Sequence, residues 1–364
     1  MYRLPQLPRL AIGILLMFFQ SMPAQWEAID NPQENFDALW ETFHKRYANF
    51  DLKRVDWNQI QTKYGQQVTP ETTNRQLFEI GCAMLQELND GHVTLEADFE
   101  ERDLECGPSY TFAIEKAFPI QEKWDAFKGI MDARLKAFGF SEAQYQKVSK
   151  DAHFQYRTHA RFGYIRIDEM PGPTFGKLDK ALNKALQNMQ TSEAVILDLR
   201  FNGGGWDKNS YTIANRFVNE KKLGHYKETR IKDTQNFTKK KAWYLKPHGK
   251  FRFRKKLIIL TSDFTASAAE VFLLAMHRQP QVVLIGQTTE GIFSDMYEFK
   301  LPNGWEVSLS HMRFYDAQMT NYEGIGIQPA IEVKNSPDDL THKTDAVLNR
   351  AFEYLQTLNR NMEQ

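Results

Sequence analysis

Cysteine, net charge and long apolar runs are all scarce in this 364-residue chain. Cysteine occurs twice, at Cys82 and Cys106, and the nine histidines are scattered. With no His-Glu-x-x-His and no Cys-x-x-Cys pair, a zinc site is not expected, and nothing points to another cofactor. Lys+Arg and Asp+Glu both total 46, so the formal net charge is zero. A nucleic-acid partner would leave a positive field, and none is expected here. Basic residues gather only locally, at Lys239-Lys240-Lys241 and from Lys246 to Lys256. Such runs read as a solvated surface, or as a greeting for an acidic group on a substrate. Internal repeats and low-complexity tracts are also missing.

The apolar stretch from Leu10 to Phe19 is shorter than the about 20 residues that span a bilayer. Arg3 and Arg9 precede it, and Ser21, Pro23 and Ala24 follow. That is the order of a secretory signal peptide, expected over residues 1–24, so the chain is expected to be exported, periplasmic or extracellular, touching a membrane only through this segment. No cysteine at its end invites a lipid. Export permits a disulfide between Cys82 and Cys106, although Cys82 on a helical pattern also reads as core.

What is present divides the chain into parts. Over 26–97 the periodicity predicts a small helical bundle. Asn31-Pro32 opens a helix with Phe36, Leu39, Trp40, Phe43 and Tyr47 on one face, Asp56 to Tyr64 gives a second, and a Thr73/Gln76 capping box starts a third. That third helix stops at Asn89-Asp90-Gly91-His92, and Val93-Thr94-Leu95 alternates like a strand. Residues 98–160 read as a mixed connecting segment. From Arg161 to the C-terminus, strands alternate with helices: Gly163–Ile167, then a helix to Met189, then the buried-type strands Ala194–Leu199, Lys256–Thr261 and Val282–Ile285. A hairpin follows around Pro302-Asn303-Gly304, and the last element is a helix from Asp345. The expected class is α/β, a layered core with an N-terminal helical domain.

Four features carry chemistry. Ser267 stands where the strand Lys256–Thr261 turns into the helix carrying Val271, Phe272 and Ala275. It reads either as an N-cap or as a serine at a helix start, where free N–H groups and the dipole can hold an oxyanion. Arg200-Phe201-Asn202-Gly203-Gly204-Gly205 follows another buried strand, and its glycines let backbone amides face a ligand. No Gly-Lys-Ser/Thr follows, so a phosphate loop is not indicated. His92 sits in a tight turn beside Asp90, where a base is held yet reachable. Glu323, on the loop Tyr322 to Pro329, can orient a histidine or a substrate group.

In this order the segments resemble the C-terminal-processing, or tail-specific, serine peptidases and the catalytic core of the tricorn protease. The matching stretches are Asp90-Gly91-His92, Asp198 to Gly205, Thr265 to Glu270, Gly286 to Gly291 and Glu323 to Pro329. The resemblance implies a crotonase- or Clp-protease-like core and cleavage of peptide bonds in peptides or proteins. Position by position, Ser267 matches the nucleophile and His92 the general base of the tricorn-like branch. Glu323 matches the acid, with Asp90 as the other possible partner, and Gly203, Gly204 and the Ala268 amide match the oxyanion hole. Two departures stand out. Ile292 occupies the position of the lysine used by the Ser–Lys branch, so the base falls to His92. Gly91 replaces the serine that links base and glutamate in tricorn-like sites. A PDZ domain has no room between Leu95 and Arg161, so tail-specific recognition is not expected. The resulting reading is an exported serine endopeptidase; the alternatives are a ligand-binding protein on the same fold and a small-ester hydrolase.

Overall fold

The computed structural model describes residues 31–99, 103–108, 110–149, 153–174 and 176–360. The expected signal segment, 1–24, lies outside them. Among the described residues no helix is long and apolar enough to cross a membrane, and no three metal-binding side chains gather.

The N-terminal helices form where their caps are written. The Asn31 side chain accepts from Glu34 N–H at the start of Pro32–Arg46, Asp56 caps Trp57–Gly65, and Thr73 and Gln76 close the capping box of Asn74–Gln86. Their apolar faces do not close on one another alone. Leu39, Phe43 and Met84 share a core with Leu301, Trp305, Val307 and Leu309 from the late hairpin. That hairpin, Met296–Lys300 with Glu306–Ser310, pairs antiparallel with Thr94–Ala97, which in turn pairs with Leu104–Cys106. His92 therefore leads directly into a strand fixed by residues more than two hundred positions away. Cys82 and Cys106 are joined in a disulfide, their Cα atoms 5.9 Å apart, tying the third helix to this sheet.

The second sheet has seven strands. Its order is Ile331–Glu332, Val282–Gly286, Lys256–Thr261, Ala194–Asp198, Phe162–Ile167, His153–Thr158 and Gln144–Lys147. The first five run parallel, and the last two add antiparallel on one edge. The sheet thus crosses the division drawn at residue 161. Both faces are covered, as the unbroken apolar strands require. Val195, Leu197, Leu257 and Ile259 face the helices Lys177–Asn188 and Ala268–Met276. Ala194, Ile196, Ile258 and Leu260 face the helices Gln121–Phe138 and Ala346–Arg360.

Adjacent parallel strands end together, with Asp198 opposite Leu260, so their following loops meet at one edge, where ligands of open α/β sheets bind. A fully buried ion network holds that edge. Arg200 bonds Asp198 at 2.7 Å and Asp345 at 2.9 Å, with Tyr164 Oη donating to Asp198 at 2.9 Å. Truncating one member leaves charges buried and unpaired. Arg200→Ala is expected to cost about 3–5 kcal/mol, read from urea unfolding; a loss under about 1 kcal/mol would show that the network carries no such load.

Candidate active site

Ser267 sits at φ 53°, ψ −121°, a region that favours glycine, at the junction into the helix Ala268–Met276. A non-glycine residue there stores on the order of 1–3 kcal/mol, and the surroundings must enforce it. The enforcement is visible. Thr265 Oγ1 donates to Leu199 O at 2.9 Å, and Ala266 N–H donates to Asn202 O at 3.0 Å. Ser267 N–H is shared between Ile292 O at 3.1 Å and Glu270 Oε2 at 3.2 Å. The turn lifts Ser267 to a partly exposed position while Ala266, Ala268 and Ala269 stay buried. A strained strand-to-helix turn is a known way to present a nucleophilic serine.

The glycine loop lies against it. Gly204 has φ +111°, and a Cβ added there would stand 2.6 Å from Ser267 Cβ and 3.1 Å from Ala268 N. Only glycine leaves the space in front of the Ala268 amide open. Gly204 N–H, however, donates to Asn202 Oδ1 at 2.9 Å, while Asn202 Nδ2 donates to Ile167 O. The Gly204 amide, expected among the oxyanion donors, is spent on shaping its own loop. The contribution of Gly204 is the close approach.

His92 is buried, 6% exposed. Its backbone is pinned from three sides: His92 N–H donates to Asp90 Oδ1 at 2.9 Å, Val93 N–H to Asp90 O at 3.0 Å, and Ser308 Oγ to His92 O at 2.7 Å. Asp90 Oδ2 accepts from Tyr47 Oη at 2.8 Å. Asp90 thereby holds the turn through backbone and tyrosine, and it acts on the ring through charge. Burial lowers the His92 pKa below its ordinary 6.5, outweighing the opposite pull of Asp90 and Asp295. The imidazole is thus neutral near pH 7 and fit to accept a proton. Its Nδ1 is buried without a hydrogen-bond partner among the described residues.

Glu323 is buried too. Its Oε2 accepts from Phe293 N–H at 3.0 Å, and its Oε1 has no hydrogen-bond partner among the described residues. Burial, with the charge of Asp90 second, pushes its pKa well above the carboxylate range. Its loop is docked by Gly324 N–H on Gly291 O at 2.7 Å and Ile327 N–H on Thr289 Oγ1 at 2.8 Å.

The segment 289–293 joins all of these groups. Ile292, at the lysine position of the resembled branch, is 6% exposed, so an ammonium there would need a partner that this apolar side chain does not. Its carbonyl holds Ser267 N–H, and its Cδ1 would stand 3.0 Å from a Cβ at Gly91. Ser267 and His92 therefore flank one residue, although no hydrogen bond joins them among the described residues. Sequence reasoning gave no role to Glu270. Fully buried, it accepts from Ser267 N–H, from Gly291 N–H and Ile292 N–H at 2.8 Å each, and from the Thr289 hydroxyl. Burial pushes it up to about 8 against those four donors. The Ser-x-x-Glu spacing of a capping box was the available signal.

A layered α/β protein with a serine at a strained strand-to-helix turn is the class that fold and site define. By sequence, residues 161–333 match peptidase family S41 and residues 30–86 match the tricorn protease C1 domain. It is 25% identical over 182 residues to the carboxy-terminal-processing protease of Bartonella bacilliformis, covering 50% of this chain and 40% of that one. It is 29% identical over 172 residues to the carboxy-terminal processing protease CtpA of Bacillus subtilis, covering 47% and 35%. The matched part is thus less than half the length of these curated relatives. A candidate peptidase from Parabacteroides merdae superposes over 89% of this chain and 96% of its own, with a TM-score of 0.72 at 27% identity.

The backbone strain at Ser267 yields a stability test. Ser267→Gly is expected to raise stability by about 1 kcal/mol, because glycine adopts this φ freely, while Ser267→Ala leaves it nearly unchanged. Equal melting temperatures for the two variants would show that the turn is not strained.

Proposed function

We propose that this protein is an exported serine endopeptidase that cleaves peptides or proteins through an acyl-enzyme on Ser267. One observation carries the reading: Gly204 approaches Ser267 and Ala268 so closely that only a glycine keeps the Ala268 amide open beside the serine. Such a gap suits the oxygen of a tetrahedral intermediate. In this reading the Gly203 and Ala268 amides receive the oxyanion and Gly204 supplies the room.

Ser267 Oγ attacks the scissile carbonyl, and His92 takes its proton and passes it to the leaving amine. Water then repeats the sequence to release the acyl group. Proton transfer needs the Ser267–His92 contact to close when substrate binds, as catalytic hydrogen bonds tighten in the Michaelis complex. Glu323 is the acid that orients His92. Its unpartnered Oε1 and the unpartnered His92 Nδ1 support this role over Asp90, whose oxygens serve Tyr47 and the His92 backbone. The leader 1–24, the helical part 26–97, the connecting segment 98–160 and the catalytic part 161–364 belong to the same reading. The match of residues 161–333 to peptidase family S41 and the relatives named as carboxy-terminal-processing proteases support a peptide or protein substrate.

The full chain is expected to be labelled by a fluorophosphonate and to digest denatured casein. Ser267→Ala abolishes both, and His92→Ala lowers turnover at least about 10³-fold. Labelling that persists in Ser267→Ala, or moves to Ser262, sinks the assignment. Labelling without casein cleavage points to an ester hydrolase, and neither activity at any pH points to a binding protein.

The pH profile gives a second check. Because burial lowers the His92 pKa, the acid limb of kcat/KM is expected below pH 6.5, activity falling as pH drops through the shifted value. An acid limb above pH 6.5 would assign the base elsewhere.

A further inference from the structure

Glu290 bridges the two halves of the proposed site. Its backbone N–H donates to Thr265 O at 3.1 Å, two residues before Ser267. Its side chain reaches the other way. A Cβ at Gly91 would overlap Glu290 Oε1 and stand 2.7 Å from Tyr110 Oη, so the carboxyl and the phenol together occupy the space beside the His92 turn. Tyr110 Oη donates to Glu290 Oε1. Tyr110 and Glu290 also line a cleft with Lys53, Asn89, Phe112 and Ile292.

Gly91 has no side chain, and the volume one would fill belongs to Tyr110 and Glu290. We propose that Glu290, braced by Tyr110, is the positioning residue that sets His92 at its working distance from Ser267. This rests on the Ser267–His92 reading and adds two residues that the resemblance does not supply. The brace works through packing on Gly91 and not through contact with substrate. A base displaced by about 1 Å loses on the order of 100-fold in rate. The groups facing Glu290 are Tyr110, Asp90, Glu270 and Asp263, all acidic or phenolic. Burial pushes the Glu290 pKa up to about 8 against the hydrogen bond from Tyr110, which lowers it, and the charges of Glu270, Asp90 and Asp263 add to the rise. The brace is uncharged near neutrality and gains a negative charge above pH 8.

The test compares wild type with Glu290→Ala, Glu290→Gln and Tyr110→Phe on a peptide substrate, each checked for folding by circular dichroism. Glu290→Ala is expected to lower kcat about 100-fold with KM within about twofold. Glu290→Gln, which still accepts from Tyr110, should restore most of kcat at pH 7. It should also remove the Glu290 share of any alkaline change in kcat near pH 8, leaving the share of Glu270, which is pushed up to about the same value. Gly91→Ser provides the spatial check: in wild type it dislodges the pair and costs activity, whereas in the Glu290→Ala background it costs little or restores some.

Wild-type kcat and pH profile in Glu290→Ala overturn the proposal, as does a loss that lies wholly in KM. So does an equal cost of Gly91→Ser in both backgrounds. If Glu290→Ala does not fold, Tyr110→Phe decides. A lowered kcat at unchanged KM supports the brace, and unchanged kinetics overturn it. A wild type that is not labelled at Ser267 is a separate result, and it removes the parent reading together with this one.

Discussion

The buried carboxyl of Glu270 is the interaction on which the rest of the site depends. One side chain in the first turn of a nine-residue helix accepts from four donors, three of them backbone amides. Two of those amides belong to Gly291 and Ile292, and the third to Ser267 itself. A carboxyl buried among apolar residues is costly unless its lone pairs are used, and these donors use them. The return is positional: the strained turn at Ser267 and the segment 289–293 become one rigid piece. Everything else docks on that piece, including Glu323 through Phe293 N–H and the Glu323 loop through Gly291 and Thr289.

The opposite wall is fixed by a second buried network with different physics. Arg200, fully buried between Asp198 and Asp345, holds the chain where the parallel strand Ala194–Asp198 ends. Its neighbours then run into Asn202, whose side chain and carbonyl anchor Ile167, Gly204 and Ala266 at once. Gly204 reaches Ser267 because both ends of its loop are held. Buried ion networks are poor sources of net stability, since desolvation consumes most of the attraction, but breaking one is expensive. Such a network therefore specifies one loop geometry.

Local signals made much of this legible in the sequence, and long-range contacts hid the rest. Caps at Asn31, Asp56 and Thr73 announced three helices, and a buried apolar run announced each central strand. The hairpin around Pro302-Asn303-Gly304 was readable as well, whereas its pairing with Thr94–Ala97 was not, because register between distant strands depends on packing across the whole fold. Ser267 stood out because strand, small residues and helix follow one another locally. Tyr110 could not be found that way. Its partner Glu290 lies 180 residues further on, and the stretch around Tyr110 has no clear period. Gly204 is an intermediate case: its presence was informative, but the use of its amide by Asn202 is a matter of geometry.

The charge balance around His92 decides what the site can do. Asp90 and Asp295 pull the imidazole toward protonation, and Glu290 lies beside its turn at Gly91. Burial prevents that outcome. Glu270 and Glu290 are pushed up to about 8 and Glu323 is also raised well above its ordinary range, so the site sheds negative charge near neutrality. The same burial lowers the His92 pKa, and it is a larger influence there than the nearby acids. A histidine whose neutral form is favoured in this way can accept a proton. Desolvation thus outweighs the acids that act on His92.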